Sequence, residues 1–225
     1  MSELDTAPGL FGKVTSHGDF MSRRLPPAFI AIWDGWLQSS MQGSRDKLGP
    51  KWLDTYLTSP LWRFVLAPGV CDANSWAGVM MPSVDRVGRH FPLTLAVGVA
   101  GGPDLANWMV SNNDWFEQLE DLALSTLEAN FAFDQFDAAL QAMQGLDGVA
   151  GSGSYGPAGF HLPLTSLDQI AAAVPALTAA ALHGQSIWWT DGSAQVAPCA
   201  LMCRGLPTAQ SFAGMLAGLA PGQGA

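Results

Sequence analysis

Charge is what this 225-residue sequence has least of, since Asp, Glu, Lys and Arg together make up 13% of it. That share is about half of what an average soluble protein carries. Ten residues are basic and 19 are acidic, which gives a formal net charge of -9. A general nucleic-acid binder needs a basic face for the phosphates, so the composition argues against that class. Because 48% of the residues are hydrophobic, the composition also excludes an intrinsically disordered chain.

Cysteine and long apolar runs are scarce as well. Three cysteines are too few for a disulfide scaffold, and an odd number leaves one thiol unpaired in an oxidising compartment. We therefore expect reduced thiols that act as small core residues. The most apolar stretch, 170–182, is mostly alanine and contains Pro175, whereas a bilayer span needs about 20 strongly apolar residues. With an acidic N-terminus that lacks a signal-peptide pattern, the sequence predicts a cytoplasmic protein without membrane insertion.

The few charges are unevenly distributed along the chain. Residues 1–100 hold nine of the ten bases and eight acids, whereas residues 101–225 hold eleven acids and one base, Arg204. The acidic second half indicates either a solvated helix surface or a docking surface for a basic partner. After Asp168, only Asp191 and Arg204 are charged. The C-terminal third is therefore expected to be core or an apolar contact surface.

Apolar periodicity predicts strands and helices in alternation. Phe29, Trp33 and Leu37 recur at helical spacing after Pro26-Pro27, a typical helix start. The expected strands cover 9–14, 61–67, 76–81, 93–100, 186–190 and 195–202, and the expected helices begin near 26 and cover 51–57, 113–130, 133–143, 167–182 and 208–219. A flexible glycine-rich loop is expected at 145–159, and Asp191-Gly192 predicts a hairpin. This order favours a layered α/β architecture with some antiparallel pairs in its sheet.

The catalytic and cofactor motifs in the sequence are incomplete. Residues 151–156, GSGSYG, match the pattern G-x-G-x-x-G, but a dinucleotide site needs a strand before the glycines and a helix after them. Cys199 and Cys203 have no nearby cysteine or histidine that would complete a tetrahedral metal site. We therefore predict no catalytic residue, no cofactor and no metal site.

One polar cluster lies between two apolar strands, in the segment 80–93. Ser83, Asp85 and His90 are the side-chain types of a hydrolytic triad. The arginines of this segment are suited to binding a carboxylate or phosphate, or they are neutralised internally by Asp19, Asp34 or Asp85. A second polar stretch, 12–26, is expected to form a rim beside it. The candidate functional residues are Lys13, His17, Asp19, Arg23, Ser83, Asp85, Arg86, Arg89 and His90.

An ordered set of motifs closely resembles the TagF (ImpM) family, which is encoded with type VI secretion systems of Gram-negative bacteria. The motifs are GKxxxxGDF at 12–20, RRLP at 23–26, WDGWL at 33–37, SRDKLG at 44–49, WLDTYLTSPLWRF at 52–64, APG at 67–69 and GVMMPSVDRVGRHFPLT at 78–94. The match is dense over 9–100 and resumes at IWWTDG, 187–192, and RGLP, 204–207. Val14-Thr15 stand where the family pattern has Leu-Pro.

The resemblance implies a post-translational repressor of type VI secretion assembly that acts by binding, notably to the forkhead-associated-domain scaffold of the system. It implies a single domain over 1–220. The glycine-containing tail at 221–225 is expected to fray. The implied fold is a three-layer α/β/α sandwich, which together with the predicted antiparallel pairs gives a mixed, partly antiparallel central sheet. A non-enzymatic regulator is the leading hypothesis. The alternative is a hydrolase or phospho-ligand-binding enzyme that uses the Ser83–His90 loop.

Overall fold

The chain has an α/β fold, as the sequence predicts. The computed structural model describes residues 5–100, 105–146, 154–156, 159–163 and 170–218. The strands are β1 (Gly9–Gly12), β2 (Met21–Arg23), β3 (Trp62–Leu66), β4 (Ser75–Met81), β5 (Leu93–Val99), β6 (Ser154–Gly156), β7 (Gly159–His161), β8 (Gln185–Thr190) and β9 (Cys199–Arg204). The helices are α1 (Pro27–Leu48), α2 (Trp52–Leu57), α3 (Leu105–Ser111), α4 (Asn113–Ser125), α5 (Phe133–Ala142), α6 (Ile170–Ala181) and α7 (Ala209–Ala217), with a 3₁₀ turn at Gly49–Lys51. The expected tail at 221–225 and most of the expected loop at 145–159 lie outside the described residues. Within that loop, residues 154–156 form β6, which pairs with β7, so the expectation of a loop is wrong there.

Seven strands form one sheet in the order β2-β1-β5-β4-β3-β8-β9, and β6 pairs with β7 separately. Every pairing between the described strands is antiparallel. The expected mixed sheet is therefore wrong. Short connections join β3 to β4 and β4 to β5, and such connections can link only antiparallel neighbours. The long helical connection after β5 returns the chain beside β3, where β8 runs antiparallel to it.

Two clusters of buried side chains occupy opposite faces of the seven-stranded sheet, because successive strand residues point to opposite sides. On β3, for example, Phe64 belongs to the first cluster and Val65 to the second. The first cluster joins the sheet to α1, α2 and α7, and the second joins it to α3, α4 and α5. Burying both faces explains why β3, β4 and β5 are mostly apolar, with Arg63, Ser75 and Thr94 as their polar residues.

Helix α1 packs an aromatic column against the first face. Phe29, Trp33, Leu37 and Met41 are buried at helical spacing, which confirms the predicted stripe. The indole of Trp33 lies 5.9 Å from that of Trp188 on β8, at an interplanar angle of 13°. Its Nε1 donates to Thr94 Oγ1 at 2.9 Å. The helix is thus fixed to the sheet by ring packing and by a satisfied buried polar pair.

On the opposite face of the sheet, an arginine on β3 holds helix α4 in place. Arg63 on β3 donates from Nε and Nη2 to the two carboxylate oxygens of Glu120 on α4, at 2.8 and 2.7 Å. Its Nη1 donates to Asn113 Oδ1 at 2.7 Å. The hydrogen bonds that Arg63 donates to Glu120 raise the pKa of Arg63, so the guanidinium stays charged. Because both carboxylate oxygens are bonded to one guanidinium, the pair sets the orientation of α4 on the sheet.

The C-terminal third differs from the sequence expectations in two ways. The hairpin at Asp191-Gly192 is confirmed, but its second strand begins at Cys199, because a further turn intervenes in which Ser193 N–H donates to Val196 O. Cys71 is buried, whereas Cys199 is exposed, so the expectation of core thiols is wrong for Cys199.

This charge-poor third also presents apolar side chains to solvent. Val174 and Leu177 on α6 and Met202 on β9 are 55%, 42% and 61% exposed. The same third also supplies buried members of the first cluster, among them Trp188, Phe212 and Met215, so it contributes to the core as well as to the apolar surface. Among the described residues, no helix is long and apolar enough to cross a bilayer.

Candidate functional site

The two polar stretches singled out in the sequence meet because β1 lies beside β5. Phe11 is paired with Thr94, so the residues that follow β1 run alongside those that precede β5. Gly12 adopts a φ of 136°, and a Cβ at this position would overlap the carbonyl oxygen of Pro92. Glycine therefore allows the chain to leave β1 close to the loop before β5.

Asp85 is the centre of the resulting cluster. Its Oδ2 accepts from Lys13 Nζ and, at 2.7 Å, from Arg89 Nε. Its Oδ1 accepts from the backbone N–H groups of Val87, at 3.0 Å, and Arg89, at 2.8 Å. The Asp85 side chain is inaccessible to solvent, and that of Lys13 is 5% exposed. The hydrogen bonds to Asp85 thus stabilise the 85–89 turn, and the bond from Lys13 links this turn to the segment after β1.

The surroundings of Asp85 keep it ionised. Burial alone would raise the pKa of its carboxyl, but hydrogen bonds from Lys13, Arg89 and the Val87 backbone together hold that pKa well below its usual range. A carboxylate that accepts four hydrogen bonds, two of them from cations, is stabilised in its charged form. Asp85 is therefore a fixed negative charge rather than a proton donor or acceptor near neutral pH.

Ser83 is occupied by structural hydrogen bonds. Its hydroxyl donates to Lys13 O at 2.7 Å, and the side chain is buried. Tyr56 OH donates to Ser83 O and accepts from Ser83 N–H, both at 2.9 Å. Burial raises the pKa of Tyr56, so its proton stays in this pair of bonds. Since a nucleophilic serine must contact its base, the Ser83 hydroxyl is not activated by His90 in this geometry.

His90 faces a different set of groups. It pairs with Val84 in an isolated antiparallel bridge, and its ring contacts the rings of Trp52 and Tyr56 edge-on, with centroids 5.9 and 5.8 Å away. Burial and, to a lesser extent, the nearby charge of Arg45 lower its pKa. His90 is thus a neutral packing residue at pH 7, and the triad of Ser83, Asp85 and His90 is not assembled.

The remaining candidates lie around Phe133, the first residue of α5. The His17 ring contacts the Phe133 ring at 4.9 Å, and the Arg23 guanidinium lies over that ring at 5.4 Å. Arg23 and its neighbour Arg24 both reach Asp137. His17 accepts from or donates to Ser16 Oγ through Nδ1, at 2.8 Å. These contacts fix the rim of the cluster to α5 and leave Arg23 largely exposed.

Asp85 neutralises Arg89, as one of the sequence alternatives proposed. Asp19 is exposed and forms no ion pair with a described residue, and Asp34 accepts from Gln38 one turn away on α1. Arg86 forms no ion pair with any described residue, and its backbone N–H donates to His17 O at 3.0 Å. Lys13, Arg86 and Arg89 outnumber Asp85 and the exposed Asp19 by one, so this cluster carries a small excess of positive charge.

The exposed part of the cluster is a mixed basic and apolar surface. The Arg89 guanidinium also donates to Gly18 O, which brings the 85–89 turn against the loop that carries Phe20. Phe20 is 47% exposed and Val87 is 64% exposed. We call this set the Arg86 surface: Gly18, Phe20, Arg86, Val87 and Arg89. Clustered arginines with exposed apolar side chains are typical of protein contact surfaces.

Sequence reasoning missed two residues that position the site. Tyr56 lies within the expected helix at 51–57, and the available signal is that a buried tyrosine hydroxyl needs a hydrogen-bond partner. Asp137 lies 113 positions from Arg24, and no local pattern predicts that pairing. Within the described part of the chain, no group of three or more His, Cys, Asp or Glu side chains is arranged to hold a metal ion.

The chain is similar to proteins associated with type VI secretion. A family model described as the TagF N-terminal domain, type VI secretion system-associated, matches residues 9–143. The crystal structure of PA0076 from Pseudomonas aeruginosa PAO1 is similar over 96% of both chains, with 40% sequence identity and a TM-score of 0.86. No curated protein matches the chain. The family match includes every residue of the Arg86 surface.

Proposed function

Because the chain belongs to the TagF family of type VI secretion system-associated proteins, we propose that it is a cytoplasmic negative regulator of type VI secretion assembly. It acts after translation, by binding a protein of the secretion system. The proposed partner is the forkhead-associated-domain scaffold that the motif resemblance implies. The family match over 9–143 is the observation that carries this proposal.

We propose the Arg86 surface as the contact. Its turn is preorganised, because Asp85 accepts backbone hydrogen bonds from Val87 and Arg89, so little conformational entropy is lost on binding. Arg86 and Arg89 are exposed and supply guanidinium donors. Phe20 and Val87 supply apolar area beside them. This combination favours a partner that presents carboxylates around an apolar patch.

Binding rather than catalysis is the proposed mode of action. The hydroxyl of Ser83 is committed to Lys13 O, and the carboxylate of Asp85 is committed to Lys13 and Arg89. His90 contacts aromatic rings rather than either of these groups. The residues that would perform hydrolysis therefore support the loop instead, which leaves its exposed side chains for recognition.

A pull-down combined with a secretion assay tests the proposal. Overproduction of the wild-type chain should suppress effector secretion, and the purified chain should capture the scaffold. Arg86→Ala should weaken capture by about tenfold or more, since an interface arginine often contributes above 1.4 kcal/mol. Lys47→Ala is the matched control, because Lys47 is an exposed cation on α1 that should leave capture unchanged.

Two results would contradict the proposal at different levels. Unchanged secretion on overproduction, with no secretion component captured, would reject the regulatory function. Suppression and capture that survive both Arg86→Ala and Arg86→Glu would reject the Arg86 surface as the contact and keep the regulatory function.

A further inference from the structure

The two edges of the seven-stranded sheet differ in how they are protected. At one edge, β2 is three residues long and ends beside Arg24, whose φ of 57° bends the chain away. At the other edge, β9 has six residues, CALMCR, with no proline and one charge at its end. An unprotected edge of this kind is a template for pairing with another strand. No described strand pairs with the outer side of β9.

The hydrogen-bond pattern identifies which residues of β9 face outward. Ala67 N–H donates to Gln185 O, and Gly205 N–H donates to Gly184 O. Because such bonds alternate along antiparallel pairs, β8 bonds to β3 through Gln185 and to β9 through Ser186. In the register of β8 and β9, the outward backbone groups therefore belong to Ala200, Met202 and Arg204.

The side chains of these three residues share one face of the sheet. Ala200 is paired with Trp189, Met202 with Ile187 and Arg204 with Gln185, and paired residues point to the same side. All three are exposed. By the same alternation, Asp191 lies on this face, two residues beyond Trp189. Its carboxylate is 4.0 Å from the Arg63 guanidinium, and its side chain is 92% exposed. The face thus has a cation at one end and an anion at the other.

We propose that β9 pairs antiparallel with β9 of a second copy of this chain, about a twofold axis at Met202. Only the backbone groups that face outward are free to form hydrogen bonds across the interface. Met202 is therefore opposite the partner's Met202, and Ala200 is opposite the partner's Arg204. The three outward residues of each strand then form a continuous ladder across the interface. An antiparallel edge pair closes as a symmetric dimer and leaves no free β9 edge.

Charge complementarity selects a second copy as the occupant. Asp191 and Arg204 are the only charged residues after Asp168, and they lie at opposite ends of the β8–β9 pair. Antiparallel pairing carries Arg204 over the small side chain of Ala200 in the partner, toward the partner's Asp191. The Cα atoms of Arg204 and of the partner's Asp191 are two strands apart across the sheet and two residues apart along it, which amounts to about 12 Å. The two side chains together can span that distance. Symmetry forms this contact twice, whereas a parallel pairing forms neither.

Measurement of the oligomeric state is the first test. Sedimentation equilibrium of the full chain should show a reversible dimer, and Met202→Lys should raise its dissociation constant by at least about tenfold, because two lysines then face each other across the axis. Val110→Lys is the control, since Val110 is 81% exposed on α3 and the charge change is identical. A monomer at the highest soluble concentration, or equal effects of both variants, would overturn the proposal.

Cysteine crosslinking tests the register. In a chain with Cys199→Ser and Cys203→Ser, Met202→Cys should form an intermolecular disulfide, because facing residues of a hydrogen-bonded pair lie about 5.5 Å apart at Cα, which suits the bond. Ala200→Cys alone should not, since the two copies of residue 200 lie about 13 Å apart along the strands. Combining Ala200→Cys with Arg204→Cys should restore crosslinking. Efficient crosslinking through residue 200 alone would reject the Met202-centred register.

Discussion

Lys13 and Asp85 form a buried ion pair although 72 positions separate them in the sequence. The pair joins the segment after β1 to the turn before β5. Arg89 bonds to the same carboxylate. The buried Asp85 therefore positions both the buried Lys13 and the exposed Arg89. The exposed arginines of the proposed contact surface thus depend on a residue that no partner can touch.

Replacing Asp85 by Asn should destabilise the fold in a pH-dependent way. The pKa of Asp85 is depressed in the folded chain and is about 3.9 in an unfolded one. Its stabilisation is therefore fully present above about pH 4 and is lost as the pH falls below that value. The free energy of unfolding in urea should separate wild type from Asp85→Asn most at pH 7 and progressively less in acid. A separation that stays constant down to pH 3 would contradict the ionised role of Asp85.

Replacing Tyr56 by Phe should destabilise the fold by about 1–3 kcal/mol, the cost of leaving a buried polar group without its partner. The substitution removes the hydroxyl that serves both the N–H and the carbonyl of Ser83. Urea unfolding monitored by circular dichroism measures the change. Ser39→Ala is the control, because the Ser39 hydroxyl is exposed and donates to Gly35 O one turn earlier in α1. Equal stability of Tyr56→Phe and wild type would show that water replaces the hydroxyl.

Replacing Arg63 by Lys should also destabilise the fold, by about 1–3 kcal/mol, since a lysine cannot reproduce two parallel bonds to one carboxylate. Both bonds to Glu120 and the bond to Asn113 depend on the planar guanidinium. A double-mutant cycle with Glu120→Gln measures the coupling in urea unfolding. Arg86→Lys, at an exposed position where the guanidinium forms no ion pair with a described residue, should change stability little. A coupling energy near zero would indicate that Arg63 acts through packing alone.

Local patterns predicted the elements whose residues are buried along their length. The apolar runs of β3, β4 and β5 and the aromatic stripe of α1 follow directly from periodicity. Strand β2 could not be predicted in this way, because its three residues, Met21–Arg23, are mostly polar and pair only since β1 offers them an edge. The antiparallel direction of β8 is likewise set by how the chain returns after β5, which no local pattern encodes.

The candidate site was predictable in composition but not in arrangement. The sequence identified Asp85, Arg86 and Arg89 as a polar cluster and left open whether an aspartate neutralises the arginines. It gave no indication that Lys13 would share the Asp85 carboxylate with Arg89, because pairing across 72 positions depends on the register of β1 with β5. The types of Ser83, Asp85 and His90 suggested a triad, but the backbone turns His90 toward aromatic rings instead.

The packing of α1 against the sheet has a practical consequence for following this protein in solution. Trp33 lies 4.8 Å from Trp36 and 5.9 Å from Trp188, and Trp36 lies 5.4 Å from Trp188. Three indoles held this closely in fixed orientations couple their electronic transitions and produce near-ultraviolet circular dichroism. That signal disappears when tertiary packing loosens, even where helices persist. The chain therefore carries its own optical reporter of native packing, which needs no label.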